Sequence, residues 1–163
     1  MAQARVWGRF GLDRHSFEDS ARTALAALLS LIVARFAGLP EAYWAPIVAL
    51  IITQSTLGAA LKISSQRLCG TAIGAVLGAL LASWFGPNIY LFTLGVFVTG
   101  IICKALGLDT AYRYAGITLT IVMIIAHPIS PWIVAIHRFA EVSIGIAAGL
   151  LVTSLWPEKS SEP

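Results

Sequence analysis

Two ionisable side chains, Arg138 and Glu141, lie inside a long apolar segment near the end of the chain. Charges at such positions are costly in a membrane span and are functional candidates by default. Spaced i, i+3, they share one helix face. Two interpretations remain open. The pair is either a structural ion pair that neutralises itself, or an anion site in which Arg138 binds a carboxylate through its planar fork and Glu141 tunes the site or carries a proton.

A second polar group interrupts an earlier apolar segment. Thr53 and Gln54 follow Tyr43 by about eleven residues, which is roughly 16 Å along a helix. This spacing predicts a position near the bilayer midplane, at a depth comparable to that of Glu141, as in a midplane transport site. Hydrogen bonding between helices is the alternative. Tyr43 and Trp44 stand at the outer end of the same segment, where an aromatic belt competes with a role in binding.

Nothing in the sequence indicates an enzyme or a metalloprotein. The two cysteines, Cys69 and Cys103, and the three histidines show no metal-ligand spacing. No catalytic triad, phosphate-binding loop or hydrolase carboxylate pair is present in the sequence. We therefore expect no enzymatic activity, no cofactor and no metal.

The composition points to a membrane protein. Of the 163 residues 58% are hydrophobic and only 12% are charged. The mean hydropathy is +0.82. A soluble domain of this size carries about 25% charged residues. The balance excludes an ordinary cytosolic enzyme, a disordered chain and a nucleic-acid binder, and it leaves a polytopic membrane protein.

Six apolar segments account for most of the chain and predict an all-α membrane fold. They run, in order, over residues 20–37, 43–61, 69–85, 89–106, 112–126 and 132–156. Residues 20–157 form one predicted six-helix transmembrane domain. Residues 1–19, in which aromatic and basic side chains alternate, are predicted to be an amphipathic interfacial segment, and residues 158–163 a short cytoplasmic tail.

The distribution of basic residues predicts the topology. With both termini in the cytoplasm, nine of the eleven Lys and Arg residues fall on the cytoplasmic side, Arg22 and Arg67 among them. Only Arg35 and Arg138 fall toward the outside. This is the positive-inside bias of a multi-pass protein of the bacterial inner membrane.

An internal repeat relates the two halves of the chain. Residues 67–83 and 138–154 align without gaps and match at six of 17 positions, including Arg67 with Arg138. The same offset of 71 residues pairs Tyr43 with Tyr114. Because each half holds three spans, the halves must insert in opposite orientations, as two inverted three-helix repeats. Arg67 is then expected to begin the third helix from the inside.

Glycines recur at four-residue spacing in the two repeated segments. Small residues at this spacing let helix backbones approach closely, so we predict a helix-packing role for them. These glycines are Gly70, Gly74, Gly78, Gly145 and Gly149.

Three motifs in order resemble the fusaric-acid-resistance (FUSC) and aromatic acid exporter family. They are Tyr43-Trp44-Ala-Pro followed by Thr53-Gln54-Ser, then Arg67-x-x-Gly-Thr-x-x-Gly, and finally Arg138-x-x-Glu141-x-x-Ile-Gly with a closing Trp-Pro. The resemblance covers about residues 20–157. It implies a six-helix integral membrane transporter domain, and it links the chain to the efflux of aromatic carboxylic acids and to plant malate channels. The larger exporters carry extra soluble regions, and often two membrane halves. The resemblance therefore implies a homo-oligomer, most simply a dimer, with an open need for a periplasmic adaptor protein.

The first hypothesis is thus an exporter of small organic anions, in particular aromatic carboxylic acids, embedded in the lipid bilayer. A dimeric anion channel and a membrane scaffold or subunit without transport activity are the alternatives. The candidate substrate-binding residues are Arg138, Glu141, Arg67, Gln54, Thr53, Tyr43 and Trp44.

Overall fold

The computed structural model describes residues 14–53, 56–125 and 130–156. These residues form six α-helices and no β-strand, which confirms the predicted all-α class and the number of helices. The helices are α1 (Arg14–Phe36), α2 (Trp44–Thr53), α3 (Leu57–Phe85), α4 (Ile89–Ala105), α5 (Ala111–Thr120) and α6 (Pro131–Leu155). A π-helical turn, Ile121–Ile125, extends α5.

Glycines in the left-handed conformation end three of the helices. Gly38 after α1 and Gly107 close to the end of α4 have φ angles of 68° and 70°. In both turns the amide of the following residue donates to the carbonyl five residues back, at 3.2 and 2.9 Å, which is the Schellman closure. Gly86, also with φ 68°, ends α3. Asn88 then caps α4 by accepting a hydrogen bond from the amide of Tyr90 at 2.9 Å.

The boundary between the second and third helices differs from the sequence prediction. The second segment was expected to run to residue 61 and the third to begin at 69, but α2 ends at Thr53 and α3 begins at Leu57. The polar run from Lys62 to Arg67 is helical because it contains no glycine or proline to break the helix. Arg67 therefore lies inside α3, ten residues after its first residue, and does not begin the helix.

Helices α3 and α6 pack against each other at the centre of the fold. The short helix α2 packs on α6, and α5 packs on α3. Helix α1 contacts α2 and α6, while α4 contacts α5 and α3. Exchanging the first three helices for the last three leaves this set of contacts unchanged.

The surface is suited to lipid. Helices α3 and α6 are each long and apolar enough to cross a membrane, at about 43 and 37 Å for 29 and 25 residues. Large apolar side chains such as Phe97 and Ile136 are exposed, whereas the core is built largely from alanine and glycine. An apolar exterior around a small-residue core is the pattern of helices packed within a bilayer.

Arg22, which the topology count assigns to the cytoplasmic side, is buried. From α1 its Nη1 atom donates to the carbonyl of Trp156 at 3.2 Å, and its Nη2 atom donates to the carbonyl of Thr53. These two carbonyls stand at the C-terminal ends of α6 and α2, where a cation offsets the helix dipoles. Arg22 therefore ties three helices together.

The first helix begins at Arg14, so residues 14–19 belong to the same helix as the first apolar segment. The predicted interfacial segment is otherwise formed by residues 1–13, which lie outside the described part of the chain, as do residues 157–163 of the predicted tail.

Candidate functional site

Arg138 is held by two carboxylates and an aromatic ring. Its Nη1 atom lies 2.7 Å from Glu141 Oε2 and 3.5 Å from Glu41 Oε2. The guanidinium group stacks over the ring of Trp44 at 4.0 Å. Arg138 is 3% exposed and Glu141 is fully buried. The structure therefore forms the i, i+3 ion pair, and adds a second acid and a cation–π contact to it.

Glu41 is a contact that the sequence patterns do not select as a site residue. It lies in the turn before α2 and reaches Arg138 across 97 residues of sequence. Its side chain is 34% exposed, unlike that of Glu141. The only signal in the sequence is its position two residues before Tyr43, beside the aromatic pair that opens the second segment.

Arg67 occupies a different environment. Its guanidinium group lies over the ring of Tyr114, 4.9 Å from the ring centre, and the residue is 8% exposed. Among the described residues no carboxylate pairs with it. Its Nη1 atom is buried and has no hydrogen-bond partner in that same part of the chain. A buried neutral donor without a partner typically costs about 1–3 kcal/mol, and a charged donor costs more.

One small cavity joins these two arginines. It has a volume of about 20 Å³, and its walls include Trp44, Arg67, Thr71, Tyr114, Thr118 and Arg138. This is room for one water molecule or one ligand atom. The indole Nε1 of Trp44 is a second buried donor without a partner among the described residues. A larger groove of about 300 Å³ between α3 and α4 is lined by apolar residues alone and contains none of these groups.

Glycines bring the short helices close enough to build the cavity. A Cβ atom at Gly74 on α3 would overlap the carbonyl of Ala115 on α5. Likewise, a Cβ atom at Gly145 on α6 would overlap the carbonyl of Ala45 on α2. Gly70 is pressed in the same way against the carbonyl of Ala111. These close approaches place the rings of Tyr114 and Trp44 next to the arginines of α3 and α6.

At the other two predicted packing glycines, Gly78 and Gly149, the nearest atoms belong to side chains, and backbone atoms lie slightly farther away. A Cβ atom at Gly78 would lie 3.2 Å from Val122 Cβ, and one at Gly149 would lie 3.0 Å from Ile52 Cβ. In both helix pairs, a glycine later in one helix meets a residue later in the other helix. Helix α3 therefore runs parallel to α5, and α6 runs parallel to α2.

The cavity contains some of the predicted binding residues and not others. Arg138, Arg67 and Trp44 line it, whereas Glu141 contacts Arg138 and is not among the lining residues. Tyr43 is 53% exposed and its ring packs against that of Trp44 at 5.8 Å. Tyr43 is not among the residues that line the cavity.

Thr53 lies at the far end of α2 from Trp44, about 13 Å away along the helix axis. Its hydroxyl group donates to the carbonyl of Ala49 at 3.0 Å, so its bonding is satisfied within its own helix. Thr53 does not share the depth of Glu141, because α2 and α6 run in parallel and Glu141 lies near the start of α2. Gln54 is outside the described residues.

Chemically, the site offers two buried guanidinium groups and an indole N–H group around one small space. Its two carboxylates both contact Arg138, and the donors without partners belong to Arg67 and Trp44. Such a surface attracts a negatively charged group, because the Nη1 atom of Arg67 and the indole Nε1 of Trp44 have no hydrogen-bond partner among the described residues.

Known proteins resemble the chain over most of its length. Residues 26–152 match the family described as fusaric acid resistance protein-like. The inner membrane protein YeeA of Escherichia coli K12 is 24% identical over 143 residues. The uncharacterized transporter YdhK is 29% identical over 150 residues in the same organism and 26% identical over 149 residues in Salmonella typhimurium.

Each match includes 85% of the chain but only 40% of YeeA and 22% of YdhK, so the chain spans less than half of these relatives. No solved structure gives a significant match. The family match extends over more than half of the chain and includes the helices that carry both arginines. The chain therefore belongs to the family described as fusaric acid resistance protein-like.

Proposed function

We propose that the chain forms an exporter of small organic anions, in particular aromatic carboxylic acids, in the bacterial inner membrane. One observation carries the proposal: two arginines on different helices are buried against the same cavity, and N–H groups there lack partners. Cations inside a membrane domain are costly, and they mark ion and substrate pathways. The names of the relatives, an inner membrane protein and a transporter, support the location and the class of activity.

An inverted repeat with both termini in the cytoplasm is part of the proposal. The inverted repeat is supported by the helix contacts, because the same set of contacts results when the first three helices are exchanged for the last three. The glycine contacts support it too, because Gly74 meets Ala115 where Gly145 meets Ala45. This correspondence relates the short helices by 70 residues instead of 71, and it makes Trp44, not Tyr43, the counterpart of Tyr114.

Glu141 is the proposed proton carrier. It is fully buried, and its Oε2 atom accepts a hydrogen bond from Arg138. The other oxygen, Oε1, has no hydrogen-bond partner among the described residues. A carboxyl group that is ionised against an arginine and also has a vacant acceptor can accept a proton when its partner moves away.

A homodimer and a periplasmic adaptor protein also belong to the proposal, and both rest on the resemblance to larger exporters. The test that separates exporter from channel is the response to the proton gradient.

The experiment measures flux of hydroxybenzoate in proteoliposomes, with and without a protonophore. We expect flux that falls when the proton gradient collapses, and that falls at least tenfold in Arg138→Gln. Arg113→Gln is the matched control, because Arg113 is exposed and contacts only Tyr112 among the interactions of its side chain. Flux that is indifferent to the gradient would indicate a channel. No flux in the wild-type protein would refute autonomous transport and favour the scaffold alternative.

A further inference from the structure

The two arginines of the cavity occupy corresponding positions, but their surroundings differ in charge. Each guanidinium group lies on the ring of the short helix that packs against its own helix, Arg67 on Tyr114 and Arg138 on Trp44. This geometry is the same in both halves. The acids, in contrast, occur at one arginine only, because Glu141 and Glu41 both contact Arg138.

The positions that correspond to the two acids are Gly70 and Ala111. These residues are in direct contact, and a Cβ atom at Gly70 would overlap the Ala111 carbonyl. Neither residue carries an acceptor side chain, and the contact leaves no room for one. Arg67 is thus a buried cation whose Nη1 atom has no partner among the described residues.

From this asymmetry we infer that Arg67, together with the indole N–H of Trp44, directly binds the negatively charged atom of the transported anion, while Arg138 is a positioning residue held by its two acids. The inference rests on the proposed function and specifies its site. Both residues line the cavity, and the Nη1 atom of Arg67 and the Nε1 atom of Trp44 are buried without a hydrogen-bond partner in the described part of the chain.

The size of the cavity defines the chemistry of the ligand. A space of about 20 Å³ accepts one carboxylate oxygen or one chloride ion, and it excludes an aromatic ring. Chloride and the carboxylate of an organic acid share the chemistry that the donors recognise. A ring would remain outside the closed cavity, so transport of an aromatic acid requires the helices around it to separate.

The test uses two readouts on the purified full chain, thermal stabilisation in detergent by chloride or hydroxybenzoate and flux of hydroxybenzoate in proteoliposomes. Gluconate replaces chloride in the reference buffer. We expect Arg67→Gln to abolish the stabilisation, and Arg67→Lys to retain part of it as the charge is kept. Trp44→Phe keeps an aromatic ring, though a smaller one, beneath Arg138 and removes the N–H group. It should raise the half-saturating anion concentration about tenfold, since one lost hydrogen bond to a charged group is worth at least about 1.4 kcal/mol.

Arg113→Gln is the control, because it changes an exposed arginine that does not line the cavity. If Arg67→Gln fails to fold, Trp44→Phe decides, since it removes one donor without removing a charge. Wild-type affinity in Trp44→Phe would then overturn the inference.

The outcomes separate this inference from the proposed function. Wild-type binding and flux in a folded Arg67→Gln would overturn the inference and leave transport standing. Stabilisation by anions without flux would support the site and count against autonomous transport. If neither anion stabilises the wild-type protein, water alone fills the cavity and the inference fails. Stabilisation by hydroxybenzoate but not chloride identifies the carboxylate as the ligand, and the converse identifies the halide.

Discussion

Adding one methyl group at Gly74 tests the close packing of α3 against α5. In Gly74→Ala the new Cβ atom would lie well inside van der Waals contact with the Ala115 carbonyl, and the two nearest carbon atoms of Ala115 backbone would be 2.8 Å away. Backbone atoms cannot rotate out of the way as a side-chain end can, so the helices must separate. Overpacking of this kind typically costs about 1–3 kcal/mol, and we expect a loss of stability in the upper half of that range.

Gly100→Ala is the matched control. Gly100 lies in α4, and a Cβ atom there would meet nothing within 4 Å. Alanine in a helix is favoured over glycine by about 0.5–1 kcal/mol, so this variant should be neutral or slightly more stable. Gly78→Ala should fall between the two, because its nearest neighbour is a side-chain atom of Val122 at 3.2 Å.

The assay is thermal or denaturant unfolding of each detergent-solubilised variant, and the measured quantity is the fraction of protein that remains monodisperse. The order of stability should be Gly100→Ala, then Gly78→Ala, then Gly74→Ala. Equal stability of Gly74→Ala and Gly100→Ala would refute the reasoning, because the same chemical change would then be insensitive to the backbone contact. Unfolding of Gly100→Ala at lower temperature than Gly74→Ala would refute it more strongly.

Three further predictions concern charge and topology. Arg22→Ala should lose about 2–3 kcal/mol in the same unfolding assay, because the carbonyls of Thr53 and Trp156 lose a charged donor, and Arg22→Lys should recover part of that loss; equal stability of all three proteins would contradict this role. Glu141→Gln should lose about 3–5 kcal/mol by leaving Arg138 without its nearest acid, whereas Arg138→Gln/Glu141→Gln should lose less than the sum of the single changes; strict additivity would show that the pair is not coupled. Fusion of a fluorescent protein to the C-terminus should give signal in intact cells and fusion of alkaline phosphatase should not, and the reverse result would exclude a cytoplasmic C-terminus.

The sequence predicted the helix ends that glycine or proline marks, and it misplaced the start of the first helix and the boundary between the second and third helices. The ends at Gly38 and Gly86 followed from residue type, since few other residues adopt a positive φ. The run from Lys62 to Arg67 resembled a loop only because it is polar. A polar sequence indicates which side chains can be solvated, but it does not indicate where a helix ends. For this reason the sequence pattern predicts Arg67 at a helix start, whereas Arg67 lies buried within α3.

The candidate site was predictable where its contacts are local. Arg138 and Glu141 are one turn apart on one helix, and their spacing alone brings them together. Glu41 and Tyr114 reach the arginines from other helices. Their contacts depend on helix registers that change by one residue between the repeated segments, so an alignment at a constant offset of 71 could not identify Trp44 as the counterpart of Tyr114.

The unequal charges follow from what a fully symmetric site would require. Two unpaired guanidinium groups around a cavity of about 20 Å³ would repel each other in a region of low dielectric constant. Two acids at each arginine would remove the repulsion, but they would also leave no donor for an anion. Acids at one arginine only satisfy both demands, because Glu141 and Glu41 pair with Arg138 while the Nη1 atom of Arg67 has no partner in the described part of the chain. Under the proposed function, the loss of symmetry at Gly70 and Ala111 is therefore what makes an inverted pair of arginines able to bind a ligand.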